Sequence, residues 1–236
     1  MLSIIIPTLN EEKFLPRLIQ SIRKQNFSDY EIIVSDANSS DQTKEIALQN
    51  NCNFIVDVDD NHHHPAWQRN NGAKAACGDV LLFLDADTVL QEDFLEKVMK
   101  EFNSKKLSGA GFYFKFNPNK FSYRIFAFLY NFFCFFRQYF SPISIGAGIV
   151  AKKEFHDLIG GFDHTLCLAE DYDYCQRIGK KGKFRIITSC RLLYSSRRIE
   201  KDGFFKVGLA WTRMAFYTFF NRKIKNLKIK YDFGKF

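Results

Sequence analysis

An α/β fold with a mostly parallel, Rossmann-like central sheet flanked by helices is what this sequence predicts, and three observations predict it. Short apolar runs alternate with helix-period segments through the first hundred residues, and each run ends on a polar or acidic cluster. No stretch is apolar enough to read as a conventional membrane span, because Arg124 and Arg137 interrupt the best candidate. A length of 236 residues suits one well-buried domain with appendages rather than two independent ones.

Taken in order, strands are predicted at 2–6, 31–35, 53–57 and 80–84, with helices near 15–25, 41–50, 66–77 and 91–102. Met1-Leu2-Ser3-Ile4-Ile5-Ile6-Pro7 reads as a buried first strand, lacking the basic start and longer apolar stretch of a secretory signal. Pro16 suits a first helical turn, Ser39 and Gln42 have capping-box spacing, and Gly78 follows the Ala-rich third helix as a stop. Beyond Gly109 the pattern loosens into a Phe-rich stretch, then resumes with a strand at 145–151, a helix at 169–178 and a strand at 183–187.

In open α/β sheets the loops at the carboxyl ends of the strands build the ligand site. Here those loops carry Asn10-Glu11-Glu12, Asp36 to Asp41, Asp57 to Asp60, and Asp85-Ala86-Asp87, which implies one acidic crevice. The strongest signal is Val80 to Thr88, a buried strand delivering Asp85 and Asp87 to its exposed end, where alternate residues of an extended chain point the same way. Paired hard oxygens suit Mg²⁺ or Mn²⁺ and leave positions open for phosphate oxygens. Glu170-Asp171 open a helical stretch whose N-terminal dipole favours ionised carboxylates; capping alone explains such a pair, but its place after Gly160-Gly161-Phe162-Asp163 and downstream of the Asp-x-Asp favours function. His62-His63-His64 lack the spacing that converges on one ion and are expected in a solvated loop.

Ile4-Ile5-Ile6-Pro7-Thr8-Leu9-Asn10-Glu11, Glu31 to Asp36 through Asp41-Gln42-Thr43, Arg69-Asn70-Asn71-Gly72-Ala73 and Asp85-Ala86-Asp87-Thr88 together resemble the family 2 glycosyltransferases in order and spacing. Gly146-Ala147-Gly148, Gly160 to Asp163 and Glu170-Asp171 resemble that family's acceptor half. The resemblance implies a single GT-A-type domain and inverting, metal-dependent hexosyl transfer. Residues 1–108 would bind the nucleotide sugar, 109–195 the acceptor, and 196–236 would form a basic aromatic extension. By the same resemblance Pro7, Thr8 and Glu11 line the base and ribose, Asp36 holds the base edge and Arg69 closes the pocket. Asp85 then lies near the ribose and diphosphate, Asp87 binds Mn²⁺ or Mg²⁺, and Asp171 is the general base. Where the family often has a second acidic residue and a Gly after the one at 36, this chain has Ala37 and Asn38, so base selectivity between UDP-type and GDP-type donors stays open.

Arg197 and Arg198 could clamp a diphosphate or lipid phosphate through bidentate guanidinium contacts, or form an ordinary basic turn. A metal-dependent nucleotidyltransferase is the nearest rival, but it would show a Gly-rich, basic loop after the first strand where this chain has Pro7-Thr8-Leu9-Asn10-Glu11.

The chain holds 27 Phe and a net charge of +8, with five of the nine residues from Arg222 to Lys230 basic. Between Phe121 and Phe140 a helix would gather Arg124, Asn131 and Gln138 into one narrow polar stripe and leave the rest apolar. That pattern predicts an interfacial helix in lipid, or else packing in the core or against a second copy as a homodimer. Phe204 to Phe220 repeats the theme before the basic run, which fits an anionic membrane surface. No nucleic acid is expected, since no recognised binding module accompanies the charge. Six scattered cysteines read as reduced thiols. The expectation is a cytoplasmic enzyme held at the inner face of the cell membrane, with a polyprenyl-linked, glycolipid or other glycan acceptor. A non-enzymatic membrane-binding protein is the remaining class.

Overall fold

A computed structural model describes residues 1–59, 64–118 and 120–219. Strand β1 (Leu2–Thr8) is followed by α1 (Leu15–Arg23), β2 (Tyr30–Asp36), α2 (Thr43–Gln49), β3 (Asn53–Val56), α3 (Pro65–Ala75), β4 (Val80–Leu84) and α4 (Phe94–Ser104). Then come β5 (Gly109–Asn117), α5 (Phe121–Arg137), β6 (Gly148–Lys152), α6 (Lys153–Leu158), α7 (Glu170–Lys181), β7 (Phe184–Ser195), α8 (Arg197–Asp202) and α9 (Phe204–Phe219).

The strands form one seven-stranded sheet in the order β3-β2-β1-β4-β6-β5-β7. Strands β1 to β4 run parallel, as buried Ile, Val and Leu runs separated by helices demand. Ile4, Ile5, Ile6, Ile33, Val34, Leu82 and Phe83 are all fully buried, and each such side chain contributes about 1.5–3 kcal/mol relative to exposure. Strand β6 lies antiparallel to both β4 and β5, while β7 pairs parallel with β5 at the edge. With Leu84 opposite Gly148, the amino end of β6 meets the carboxyl ends of β1, β2 and β4 on one rim. The site is built there.

The first-half elements appear where the periodicity puts them, to within a few residues at their ends. Two local signals acted differently. Ser39 forms no capping box: it is bonded to Asp36, and Asp41 instead receives the backbone N–H of Thr43 at 3.0 Å. Helix α3 ends at Ala75, and Gly78 serves close packing, since a Cβ there would lie 2.6 Å from the Met1 carbonyl.

The Phe-rich stretch hides β5. Its Phe112, Phe114 and Phe116 are buried in strict alternation with half-buried Tyr113 and Lys115, but dense aromatics and the weak strand formers Gly109, Ala110 and Gly111 mask the period of two. Strand β7 is twice the expected length and shifts register so that Phe112 faces Ile187 while Tyr113 faces Arg191. Glu101 of α4 satisfies the backbone freed by that bulge, accepting from Thr188 N at 3.1 Å and Ser189 N at 2.8 Å. These bonds, with the Lys105 side chain, hold the Glu101 carboxyl well down at about 2 in spite of some desolvation.

Candidate active site

At the carboxyl rim lies a cavity of about 180 Å³. Pro7 and Thr8 at the end of β1 and Glu11 after it, Arg69 on α3, Asp85 and Asp87 after β4, Asp171 on α7, and Arg197 and Arg198 at the start of α8 all line it. Asp36 does not. It is 2% exposed, and its carboxylate accepts from Thr8 Oγ1 at 2.6 Å, Ser39 Oγ at 2.6 Å and Ser39 N at 2.7 Å, so it braces the ends of β1 and β2 from behind Thr8.

Asp85 and Asp87 reach the cavity by a different route from the extended one the sequence suggests. Strand β4 ends at Leu84 and the chain turns, with Thr88 N and Thr88 Oγ1 both donating to the Asp85 carbonyl, at 3.1 and 2.7 Å. The turn gives the carboxylates different surroundings. The Asp85 side chain is 29% exposed and pairs with Arg69; that of Asp87 is 4% exposed and pairs with Arg197 Nε at 2.9 Å. Burial raises the Asp87 carboxyl, Arg197 opposes the rise, and Asp85 and Glu11 add to it, leaving it at about 7.

Two arginines, Arg69 buried and Arg197 partly exposed, tie separate elements together. Arg69 Nη2 donates to Asp85 Oδ1 at 2.9 Å and to the Gly146 carbonyl at 3.2 Å, while Nη1 donates to Glu170 Oε1 at 2.9 Å. Its carboxylate neighbours outweigh the burial and keep it charged. Gly146 is required by this approach, because a Cβ there would stand 2.7 Å from Arg69 Nη2 and 3.4 Å from Asp171 Oδ2. Arg197 forks onto Glu11 at 2.8 and 3.0 Å and stacks over the Phe14 ring at 4.7 Å. Burial raises Glu11 even so.

Asp171 is raised, first by burial and then by the adjacent Glu170 carboxylate. Glu170, against its own burial, is held low by His64 and Arg69. The pair is therefore split into an ionised Glu170 and an Asp171 poised to exchange a proton near neutrality. Beside Asp171, Tyr172 shares a 2.7 Å hydroxyl hydrogen bond with Tyr130 of α5.

His64 corrects an expectation. Its side chain is 15% exposed, its Nδ1 accepts from Ala66 N at 3.2 Å as the cap of α3, and its Nε2 lies 3.9 Å from Glu170 Oε2, so it packs behind Glu170 rather than in a solvated loop. His62 and His63 lie outside the described residues. Gln68, Ile145, Leu168, Tyr194, Trp211 and Met214 also line the cavity without being marked as site residues by the sequence. His64 followed by Pro65 at a helix start is a legible capping signal; Tyr194 and Trp211 carried none, because they enter through the fold of β7 and α9.

Among the described residues no group of three or more His, Cys, Asp or Glu side chains could hold a metal ion. The chemistry of Asp85 and Asp87 nonetheless fits a hard divalent cation that takes its other oxygens from a diphosphate and water. A buried Asp87 raised to about 7 is a carboxylate that a cation would favour in its ionised form.

Above the site, α5 packs Tyr123, Ala127, Tyr130 and Cys134 inward, and Asn131 bridges the Phe114 backbone at 3.0 and 3.2 Å. Gln138 donates to the Phe135 carbonyl and accepts from Ile186 N. Most of the polar stripe thus turns toward the sheet, leaving Phe128, Leu129, Phe132, Phe136 and Phe140 between 49% and 66% exposed. No described helix is long and apolar enough to cross a membrane.

Residues 3–153 match the model of "Glycosyl transferase family 2", and residues 80–227 that of "Glycosyl transferase family group 2". A Campylobacter jejuni GalNAc(5)-diNAcBac-PP-undecaprenol beta-1,3-glucosyltransferase is 41% identical over 106 residues, which are 43% of this chain and 34% of that protein. The match thus spans about a third of that relative's length. Staphylococcus aureus TarS 1-349, solved with UDP-GlcNAc, superposes with a TM-score of 0.65 at 21% identity over 82% of this chain and 58% of that one. The Pyrobaculum calidifontis mannosyltransferase PcManGT, solved with GDP-Man and Mn²⁺, gives 0.68 at 18% identity over 79% and 54%. These two share the GT-A architecture of the seven-stranded sheet. With the family match covering well over half of the chain, this protein belongs to glycosyltransferase family 2.

Proposed function

We propose that this glycosyltransferase moves a sugar from a nucleotide-diphosphate donor to a hydroxyl or phosphate of a membrane-borne acceptor, either polyprenyl-linked or a glycolipid. The observation that carries the reading is the single cavity in which Asp85, Asp87 and Asp171 all stand, with Arg69 spanning from Asp85 to the neighbour of Asp171.

Thr8, Pro7 and Glu11 are the floor for the nucleoside, and Asp36 acts indirectly by fixing Thr8. Asp85 and Asp87 would hold Mn²⁺ or Mg²⁺, which when bound neutralises the departing diphosphate. Arg69 orients Asp85, and Arg198 faces the same space with a charge suited to phosphate. Asp171 accepts the proton of the acceptor hydroxyl as its oxygen attacks the anomeric carbon, and the nucleoside diphosphate leaves from the opposite side, so the anomeric centre inverts. Burial gives Asp171 a proton affinity high enough for that task at neutral pH.

A membrane-borne acceptor is supported by the exposed Phe face of α5, whose inner side supplies Tyr130 to Tyr172, and by α9, whose Trp211 and Met214 line the cavity while Trp211 packs 5.3 Å from Phe126 of α5. The apolar surface therefore begins at the mouth of the site. The Campylobacter relative's own name specifies an undecaprenol-linked substrate. The basic run from Arg222 to Lys230 lies outside the described residues.

A thermal-shift panel of UDP, GDP, UDP-GlcNAc and GDP-mannose, each with and without Mn²⁺ or Mg²⁺, tests the donor site. One nucleotide class should raise the melting temperature only when the cation is present, because a ligand that binds the folded state alone stabilises it. A flat response across the panel would overturn the reading.

A further inference from the structure

Three charge-assisted bonds converge on one guanidinium at the mouth of the donor half. Arg197 Nη1 and Nη2 meet both oxygens of Glu11 at 3.0 and 2.8 Å, and Nε lies 2.9 Å from Asp87 Oδ2. The Glu11 and Asp87 side chains are 8% and 4% exposed, so neither has bulk water as an alternative partner. Glu11 belongs to the loop after β1 and Asp87 to the turn after β4, and they are joined through α8, which begins more than a hundred residues later in the chain. A cation already occupies the place between the two carboxylates: the side chain of Arg197.

Resting on the cation site proposed above, we infer that Arg197 is the positioning residue that makes divalent-cation binding conditional on the nucleotide diphosphate. A bare Mn²⁺ approaching Asp87 meets a guanidinium held at three points, and placing both there would set like charges within a few ångströms in a poorly solvated cleft. A nucleotide diphosphate arriving with the cation changes the balance twice. It brings negative charge to offset the added cation, and it offers the displaced guanidinium phosphate oxygens suited to its planar fork. Arg197 then leaves Glu11 and Asp87 together, freeing Glu11 for the nucleoside and Asp87 for the cation. The exchange is of ion pairs only, with no covalent step. Its consequence is that the metal does not sit in the site alone, and the two components of the donor enter as one.

Mn²⁺ titrations of the full chain, followed by electron paramagnetic resonance with and without UDP or GDP, test this. Wild type should bind Mn²⁺ at least tenfold more tightly with the matching nucleotide than without it. R197Q should bind Mn²⁺ alone at least tenfold more tightly than wild type and keep little further enhancement by nucleotide; R197K, which retains the charge, should stay close to wild type. Scanning calorimetry gives a second readout, in which Mn²⁺ alone raises the melting temperature of R197Q but not of wild type. Should R197Q fail to fold, R197M, which removes the charge and keeps an unbranched apolar stem beside Phe14, should tighten Mn²⁺ binding in the same direction. Mn²⁺ binding that is unchanged or weaker in R197Q overturns the inference, because a merely structural Arg197 predicts that result. D87N separates this from failure of the cation site itself. Loss of Mn²⁺ binding in D87N with no tightening in R197Q sinks the Arg197 role alone, whereas Mn²⁺ binding that survives in D87N sinks both.

Discussion

Asp171 and Glu170 are adjacent carboxylates with opposite fates: burial and its neighbour raise Asp171, whereas His64 and Arg69 together hold Glu170 low. Asp171→Asn keeps the shape and removes the proposed base, so turnover should fall by about 10²–10⁴-fold while donor affinity in calorimetric titration stays within a few-fold of wild type. Arg69→Ala acts elsewhere: it strands Glu170 and Asp85 without their buried partner and should cost about 3–5 kcal/mol in urea unfolding. The sign of the pH dependence follows from the raised Asp87. Between its ordinary value of 3.8 and about 7 the folded protein binds a proton that the unfolded chain has released, so its contribution to stability falls as pH rises through that window. Melting temperatures from pH 4 to 7 should show that fall in the ligand-free wild type and a flatter profile in D87N. With Asp171 as the proposed base, initial rates should instead climb through neutrality. Most of these residues were legible: acidic clusters at strand ends announced Glu11, Asp85 and Asp87. Their partners were not, because Arg197 lies far from Glu11 in sequence and nothing local says that they meet. Asp36 was legible as a site residue, yet its bonds to Thr8 and Ser39 turn it into a brace.

Elements were readable wherever one physical signal dominated. Strands β1, β2 and β4 carry continuous apolar runs, and the inner strands of a parallel sheet buried on both faces require that pattern. The second half mixes signals, so β5 is lost among its own aromatics and less than half of β7 is legible. Neither the β7 bulge nor the role of Glu101 has a sequence signature, since Glu101 on α4 looks like one more solvated helix charge. Glu101→Ala leaves the Thr188 and Ser189 N–H groups without their acceptor and should destabilise by about 1–3 kcal/mol, read as a lower urea midpoint at unchanged slope. A smaller slope would mean that the edge strand had come loose rather than been weakened. Helix α5 was foreseen as amphipathic, and the structure adds which way it faces: Asn131 and Gln138 are spent on the sheet, so its apolar side is outward.

Across the whole molecule, polar chemistry is collected at the carboxyl rim and apolar surface on α5 beside it, with α9 between them. Phe132 and Phe136, 54% and 49% exposed, lie one helical turn apart on that surface with their rings 4.7 Å from each other. Replacing both with Asp should abolish flotation with anionic vesicles at low salt while leaving the melting temperature and nucleotide binding unchanged. Co-flotation equal to wild type would place the membrane contact elsewhere, and loss of an oligomer instead of lipid binding would make α5 a face between copies. The central claim is narrower than this: one cavity binds the donor and supplies the base. Its most direct measurement is release of nucleoside diphosphate from UDP-GlcNAc or GDP-mannose, with Mn²⁺ and extracted membrane lipids, by wild type and Asp171→Asn side by side. Wild type should release it in a lipid-dependent way, and the variant should lose at least a hundredfold with donor binding retained; equal release by the two proteins would rule out Asp171 as the base of this cavity.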